Sequence, residues 1–325
     1  MGIFEELIAF PSRCREGWEL GGVEVDLDGV RHLIVAGMGG SGIVGRLLVP
    51  LLPLAVYPLA NYRLAEGLKT LPKEKTLFFG VSYSGNTEET LSATEEAHSR
   101  GFRVICVTSG GRLAEFAQGN GLLLVKVPSR LPPRFALGYL LFPILRVLGY
   151  ERRLVDEAIG ELEGLAGRLG REGSPAKRLA EEVGERVPVI YGEEGSTALV
   201  AYRWQSQVNE NAKRIACHHS IPELCHNEIE AIGSHGRGAH FILLRHSEEH
   251  SRNAKRFEIL KEFLNEWSLA FTEVWGEGQN LLSQLLSLVL FGDFFSLYLA
   301  SLKGVDPYPT EVIEGFKRRM GWRSG

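Results

Sequence analysis

The sequence predicts an α/β fold of two doubly wound αβα sandwich domains, each with a mostly parallel sheet covered by helices. Three observations predict this class. Short apolar strand segments alternate with helical segments over the first 150 residues. A strand–glycine loop–helix pattern near residue 37 returns near residue 192, which indicates an internal repeat. A chain of 325 residues is long enough for about two domains, which we place at residues 1–150 and 151–325.

The predicted elements follow the hydrophobic periodicity. The first half has an amphipathic piece at 4–10, strands at 32–36, 54–58, 76–81, 102–108 and 122–127, and helices at 43–52, 88–100 and 135–148. A charged helical pair at 151–186 connects the halves. The second half has strands at 187–191, 239–244 and 269–275, and helices at 197–213, 250–267, 278–303 and 309–320.

Composition limits the function classes. Hydrophobic content of 44% and charged content of 23% are typical of a soluble globular protein. The net charge of −4, with dispersed Lys and Arg, does not indicate nucleic-acid binding. Four cysteines do not form an evident disulfide framework, and the first ten residues do not resemble a signal peptide, so we expect a cytoplasmic protein. The apolar segment 281–302 contains several polar residues and is predicted to be a buried helix rather than a membrane span.

Two loops that follow predicted strands have the composition of an anion site. The first, GMGGSG at 37–42, supplies the amides of Gly39 and Gly40 and the hydroxyl of Ser41. The second, SYSGNT at 82–87, has three hydroxyl side chains and precedes a helix. Helix N-termini present unpaired N–H groups and partial positive charge, which suits a phosphate. The alternative is that these polar residues only cap a helix. A dinucleotide is disfavoured because the second strand lacks the acidic residue that binds its ribose.

The corresponding loop of the second half, GEEGS at 192–196, carries Glu193 and Glu194. We expect these carboxylates to repel phosphate, so the second domain is predicted to be a degenerate copy without a phosphate pocket.

Five separated motifs give the chain a family resemblance: GMGGSG at 37–42, SYSGNTEET at 82–90, PSRLPPR at 128–134, NENAK at 209–213 with HNE at 226–228, and LKGVDPYPT at 302–310. In this order they resemble the bifunctional phosphoglucose/phosphomannose isomerase family, which has two sugar isomerase (SIS) domains. The resemblance implies reversible isomerisation of glucose 6-phosphate and mannose 6-phosphate to fructose 6-phosphate through a cis-enediolate. It also implies a homodimer, a place in glycolysis and gluconeogenesis, and no metal or cofactor.

The resemblance also implies roles for individual residues. The phosphate ligands are predicted to be Gly39, Gly40, Ser41, Ser82, Ser84 and Thr87. The catalytic residues are predicted to be Glu210 as the base, Arg134 as the stabiliser of the enediolate, and His226 and Lys303 for ring opening, with His226 contributed by the neighbouring subunit. Ser296 lies two helical turns before Lys303 and is predicted to line the sugar pocket.

Each role has an ordinary structural alternative. Glu210 could be a solvated helix residue, Arg134 a surface ion-pair partner (with Arg130 as the second choice), and His226 a structural histidine. Two Cys and three His within residues 217–226 invite a zinc site, but their spacing matches no zinc motif. A sugar-phosphate sensor and an aminosugar-phosphate isomerase are the competing functions; neither a DNA-binding module nor an amidotransferase domain is evident.

Overall fold

A computed structural model describes residues 2–321 and divides the chain into two units, each built around one parallel sheet. One unit contains Phe10–Arg152 and the segment from Thr310 onward. The other contains the N-terminal segment through Ala9 and the stretch Arg153–Pro309. The N-terminal segment is thus grouped with the second half of the chain, and the C-terminal segment with the first half. The predicted single division at residue 150 stays a prediction.

Helices account for most of the regular structure of residues 2–321. They are, in chain order, α1 (Ile3–Ile8), α2 (Phe10–Leu20), α3 (Gly39–Leu51), α4 (Glu66–Lys69), α5 (Glu88–Ser99), α6 (Gly111–Gly119), α7 (Leu137–Val147), α8 (Arg152–Leu169), α9 (Pro175–Val183), α10 (Thr197–Asn211), α11 (Ile229–His235), α12 (Ser251–Glu266), α13 (Leu281–Leu302) and α14 (Glu311–Arg319). The strands are β1 (His32–Ala36), β2 (Ala55–Leu59), β3 (Thr76–Val81), β4 (Arg103–Thr108), β5 (Leu123–Lys126), β6 (Val187–Glu193), β7 (Cys217–Ile221), β8 (Ala239–Arg245) and β9 (Phe271–Trp275).

The first sheet has the strand order β2-β1-β3-β4-β5, and every pair is parallel. All six residues of β3 are buried, which is why its sequence TLFFGV is almost continuously apolar rather than alternating. Ala36 at the end of β1 is in register with Gly80 near the end of β3. The loops that follow these two strands therefore leave the same edge of the sheet, where open α/β sheets bind ligands.

The second sheet has the order β7-β6-β8-β9 and is also entirely parallel. Helix α13 packs against α9 and α10. Trp204 of α10 is fully buried against α13, where its indole donates to the Leu288 carbonyl at 2.8 Å. Gly292 leaves room for that ring, because a Cβ there would lie 2.2 Å from the indole nitrogen. This close packing fixes the helix that ends at Glu210 and Asn211.

The predicted fold class is confirmed. Strand β7 was not predicted, since its sequence CHHSI is polar and only its last residue is buried, as suits an edge strand. Helix α3 begins at Gly39, four residues before its predicted start. Helix α13 is long and apolar enough to cross a membrane, but 78% of its most apolar window is buried inside the protein, as in a core helix.

Candidate active site

The two glycine- and hydroxyl-rich loops of the first sheet are in direct contact. The Tyr83 N–H, in the loop after β3, donates at 3.2 Å to the hydroxyl of Ser41, which lies in the first turn of α3, directly after the β1 loop. Gly37 permits this approach, since a Cβ there would lie 3.0 Å from the Val81 carbonyl oxygen. The structure thus brings the two predicted phosphate loops together at one edge of the sheet.

Hydrogen bonds within the second loop separate its hydroxyls into two kinds. Ser82 is 2% exposed; its hydroxyl donates to Thr87 Oγ1 at 3.0 Å and accepts from the Gly85 N–H at 3.1 Å. Ser84 is exposed, and Thr87 is half-buried. Ser82 therefore organises the loop, whereas Ser84 and Thr87 remain accessible.

The helices that follow these loops are not capped by their own side chains. Thr87 is the N-cap residue of α5 and Met38 that of α3, and neither side chain accepts a hydrogen bond from the helix. The simple capping alternative is therefore not what the structure shows. Two helix N-termini with backbone donors face the edge of the sheet where Ser84 and Thr87 lie, an arrangement that favours an anion.

Arg134 lies close to the first glycine loop. A Cβ on Gly40 would lie 3.1 Å from the Arg134 Cα, so a larger residue there would require the two backbones to move apart by a few tenths of an ångström. Arg134 is 4% exposed, whereas the second choice, Arg130, is exposed. The surface ion-pair alternative does not fit such burial. The role of Arg134 in stabilising the enediolate stays a prediction.

Tyr83 joins the Arg134 segment to the second loop. Its hydroxyl donates to the Pro128 carbonyl at 2.9 Å and accepts from the Leu131 N–H at 3.0 Å. With its backbone bond to Ser41, Tyr83 thus links all three segments. Sequence reasoning missed this residue, because a tyrosine inside a hydroxyl-rich loop gives no sign of which distant backbone groups it contacts.

Glu210 lies in the other unit, near the end of α10, and is half-buried. The turn after it is held by Lys213, whose ammonium donates to the carbonyls of Glu210 at 2.6 Å and Pro309 at 2.8 Å. Lys213 adopts a left-handed conformation with φ 53°. It connects the end of α10 with the segment that follows Lys303, and the sequence pattern NENAK did not reveal this function.

Lys303 directly follows α13 and is exposed, with its ammonium 3.3 Å from a Glu185 carboxylate oxygen. His226 is also exposed, at the end of a short 3-10 helix after β7. The structural-histidine alternative does not fit an exposed ring. Glu210, Lys303 and His226 belong to one unit, and the phosphate loops and Arg134 belong to the other.

Glu228 anchors the segment that carries His226. Its carboxylate accepts from the Tyr191 hydroxyl at 2.6 Å, and its second oxygen lies 2.9 Å from His219 Nδ1. Burial and the bond to Glu228 both raise the pKa of Tyr191, so the hydroxyl stays a donor. In the sequence, Glu228 is only the last residue of the HNE motif, and nothing there indicates this contact.

Ser296 is not where the prediction requires it. The side chain is fully buried; its hydroxyl donates to the Asp293 carbonyl at 2.7 Å and accepts from the Asn211 amide at 2.9 Å. A hydroxyl that is occupied in this way and has no exposed surface does not line a pocket. Helical spacing from Lys303 placed Ser296 on the wrong face, the one that α13 packs against α10. There it supports Asn211, next to Glu210.

The Cys/His segment does not assemble into a metal centre. Among residues 2–321, no group of three His, Cys, Asp or Glu side chains could hold a metal ion. His218 contacts Gln205 and the Tyr202 ring, whereas His219 contacts Glu228. Metal independence of the reaction stays a prediction.

Comparisons with known proteins agree with this architecture. Residues 26–124 match the SIS domain, and residues 172–320 match the bacterial phospho-glucose isomerase C-terminal SIS domain. The chain is 35% identical over 335 aligned residues to the bifunctional phosphoglucose/phosphomannose isomerase of Caldicellulosiruptor bescii, with 98% of each chain covered. It is 36% identical over 292 residues to that of Thermoplasma acidophilum, with 89% of each covered. The chain belongs to the bifunctional phosphoglucose/phosphomannose isomerase family.

Membership of the phosphoglucose/phosphomannose isomerase family confirms the predicted family and the predicted enzyme class, an isomerase. Among solved structures, the hypothetical protein TT0462 from Thermus thermophilus superposes with a TM-score of 0.77 at 17% identity, covering 98% of this chain and 90% of that one. At that identity the likeness supports the fold alone.

Proposed function

We propose that the protein interconverts glucose 6-phosphate and mannose 6-phosphate with fructose 6-phosphate. The observation that carries this proposal is the pair of contacting loops, with their accessible hydroxyls and uncapped helix N-termini, in a chain of the phosphoglucose/phosphomannose isomerase family. Such a site fits a phosphate without requiring a charged ligand residue. Glu210, which is half-buried, is the carboxylate proposed for the proton transfer.

The phosphate is bound by Ser84 and Thr87, together with the backbone N–H groups at the N-termini of α3 and α5. Those of α3 include the Gly39 and Gly40 amides. Ser41 and Ser82 hold the loops in shape through their hydrogen bonds. Arg134 stabilises the negative charge that develops on the enediolate oxygens. A guanidinium is always charged and presents a fixed set of donors, so it needs little reorganisation during the reaction.

Glu210 moves the proton between C2 and C1. A carboxylate can abstract a proton from one carbon and return it to the neighbouring one on the same face of the enediolate, which needs no redox cofactor. Lys303 and His226 open the sugar ring by moving a proton between the C1 hydroxyl and the ring oxygen. Histidine suits this step because its ordinary pKa lies near neutrality.

We also propose a homodimer in which His226 serves the partner's site. The exposed position of His226 supports this, as do apolar side chains that the single chain leaves exposed on α14 and at its C-terminal cap: Val312, Phe316 and Met320. The four cysteines are unpaired, which supports a reducing, cytoplasmic location. We propose no nucleic-acid or membrane partner.

Subunit mixing tests the dimer directly. If His226 acts across the interface, a mixed dimer of Glu210→Gln and His226→Ala chains contains one site with both native residues. Activity should then return when the two inactive variants are mixed and allowed to exchange. Mixing that produces heterodimers without activity would place both residues in the same chain's site.

The activity itself is tested with EDTA-treated protein, offered each aldose phosphate separately in an assay coupled to fructose 6-phosphate formation. Product from both substrates is expected. Product from glucose 6-phosphate alone would agree with the proposed mechanism but would exclude the isomerisation of mannose 6-phosphate. Binding without product would favour the sugar-phosphate sensor, and activity restored only by zinc would return attention to the Cys/His segment.

A further inference from the structure

The second unit holds a buried carboxylate surrounded by hydrogen-bond donors. Glu193, the last residue of β6, is 6% exposed. Its Oε1 accepts from the His250 N–H at 2.9 Å and the Asn253 amide at 3.0 Å. Its Oε2 accepts from the Ser196 hydroxyl at 3.0 Å and lies 2.8 Å from His246 Nε2. These donors come from three separate places: the loop after β6, the loop after β8, and the first turn of α12.

This location corresponds to the phosphate loops of the first unit. In each sheet the first strand, β1 or β6, is followed along the chain by a glycine loop and a helix. Each of these strands pairs with the second strand after it in the sequence, β3 or β8. Strand β6 therefore corresponds to β1, and β8 to β3. The loop 246–250 and the N-terminus of α12 then occupy the topological position of the SYSGNT loop and α5.

We propose that the second unit retains the anion-binding position of the repeat and that the Glu193 carboxylate fills it in place of a sugar phosphate. Each chain consequently binds one sugar phosphate, although it contains two copies of the domain. The comparison with the first unit rests on the proposed phosphate loop, whereas the hydrogen bonds around Glu193 are independent of it. The exposed Glu194 carboxylate is still expected to repel phosphate. The buried Glu193 carboxylate instead takes the place of the anion.

The geometry does not fit a nucleophilic triad of Ser196, His246 and Glu193. Both oxygen partners lie on Nε2 of His246, whereas a triad needs the acid and the nucleophile on opposite ring nitrogens. His246 Nδ1 is buried and has no hydrogen-bond partner among the described residues. Burial raises the pKa of Glu193, but the bonds from His246, Asn253, the His250 N–H and Ser196 outweigh it and lower the pKa to about 2. The carboxylate is therefore charged, as a phosphate substitute has to be.

The test removes the carboxylate and offers inorganic phosphate. Ser84→Asp is introduced first, so that the proposed loop of the first unit does not bind the probe. Glu193→Ala in this background should bind one phosphate per chain by calorimetry, and its Tm should rise with phosphate concentration. Ser84→Asp alone should bind none. The matched control, Glu194→Ala in the same background, removes an exposed neighbouring carboxylate and should also bind none.

The outcomes separate this inference from the proposed function. If Ser84→Asp alone binds phosphate with wild-type affinity, the proposed phosphate loop of the first unit is refuted. One additional phosphate bound per chain on removal of Glu193 would still support the inference that the Glu193 carboxylate fills an anion-binding position. A folded Glu193→Ala variant that binds no more phosphate than its parent would overturn the inference.

A second measurement applies if Glu193→Ala does not fold. The variant is then refolded in chloride, formate or phosphate. Recovery in formate or phosphate but not in chloride is expected, and failure in all three overturns the inference. In addition, Glu193→Gln keeps the volume and removes the charge. It should lower Tm relative to Glu194→Gln, and equal Tm values would show that the site does not need an anion.

Discussion

Asp293 on α13 is the buried charge partner of Arg203 on α10, and its removal gives the sharpest stability prediction. Its carboxylate accepts from the Arg203 guanidinium at 2.7 and 3.1 Å and from the Gln207 amide at 2.8 Å. The two charged side chains are only 4% and 5% exposed. The interaction therefore fixes the helix that carries Glu210 against the helix that ends before Lys303.

Asp293→Ala removes the Asp293 carboxylate from the buried Arg203 guanidinium. Removing one partner of a buried ion pair costs about 3–5 kcal/mol of unfolding free energy, mainly because the remaining charge is still desolvated but has lost the attraction of that partner. For a unit of this size each kcal/mol lowers Tm by about 2–4 °C, so the expected decrease is roughly 6–20 °C. Replacing both charges by leucine should recover most of the loss, since an apolar pair needs no compensation.

Urea unfolding followed by tryptophan fluorescence measures this effect. Trp204 is a suitable probe because it is fully buried against α13, between the rings of Phe291 and Phe295. The control is Glu181→Ala, which removes an exposed pair with Lys177 and should cost less than about 1 kcal/mol. An Asp293→Ala loss no larger than that of the control would refute the reasoning.

Further predictions concern the site and the buried carboxylate. Glu210→Gln should lower kcat by about 10²–10⁴ with unchanged Tm, and near-normal kcat would reject it as the base. Arg134→Lys should lower kcat by about 10² or more, because the fixed fork of donors is lost; a loss under about threefold would redirect the role to Arg130. Ser84→Asp should raise KM steeply for both aldose phosphates with a folded protein, since the new charge repels phosphate; an unchanged KM would contradict the phosphate loop. Glu193 has a pKa of about 2 in the folded state, below the ordinary value of 4.5. It therefore contributes stability that is fully present above pH 4.5 and is lost as the pH falls through about 2. The acid dependence of the urea midpoint should therefore weaken in Glu193→Gln, and identical profiles would contradict the assignment.

Local patterns were sufficient to predict the fold class and the positions of the two glycine- and hydroxyl-rich loops after β1 and β3. Buried parallel strands such as β3 have nearly continuous apolar sequences, and the hydroxyl-rich loop that follows β3 lies between a strand and a helix in one short stretch. Both signals are contained in neighbouring residues. The polar edge strand β7 gave no such signal, because an edge strand with few buried positions does not need an apolar pattern.

The parts of the site that were missed depend on contacts between residues distant in sequence. Tyr83 contacts a carbonyl 45 residues away, and Lys213 contacts one 96 residues away. Periodicity also misplaced Ser296, since α13 is apolar on nearly every face and spacing alone cannot show which face meets α10. The hydrogen-bond donors around Glu193 were missed for a similar reason: the sequence shows a negative charge in a glycine loop, but not the His250 N–H and the Asn253 amide that bind it.

The position of α1 has a consequence for how the protein is made. This first helix belongs to the unit that the chain completes last, where the ring of Phe4 lies 5.0 Å from that of Tyr298. During synthesis Phe4 leaves the ribosome long before its packing partner Tyr298, which follows almost 300 residues later in the chain. The Phe10–Arg152 sheet can form in the interval, whereas α1 has to wait with its apolar side chains uncovered. Deleting the first nine residues should consequently weaken the distant C-terminal half rather than the sheet that follows directly in the sequence.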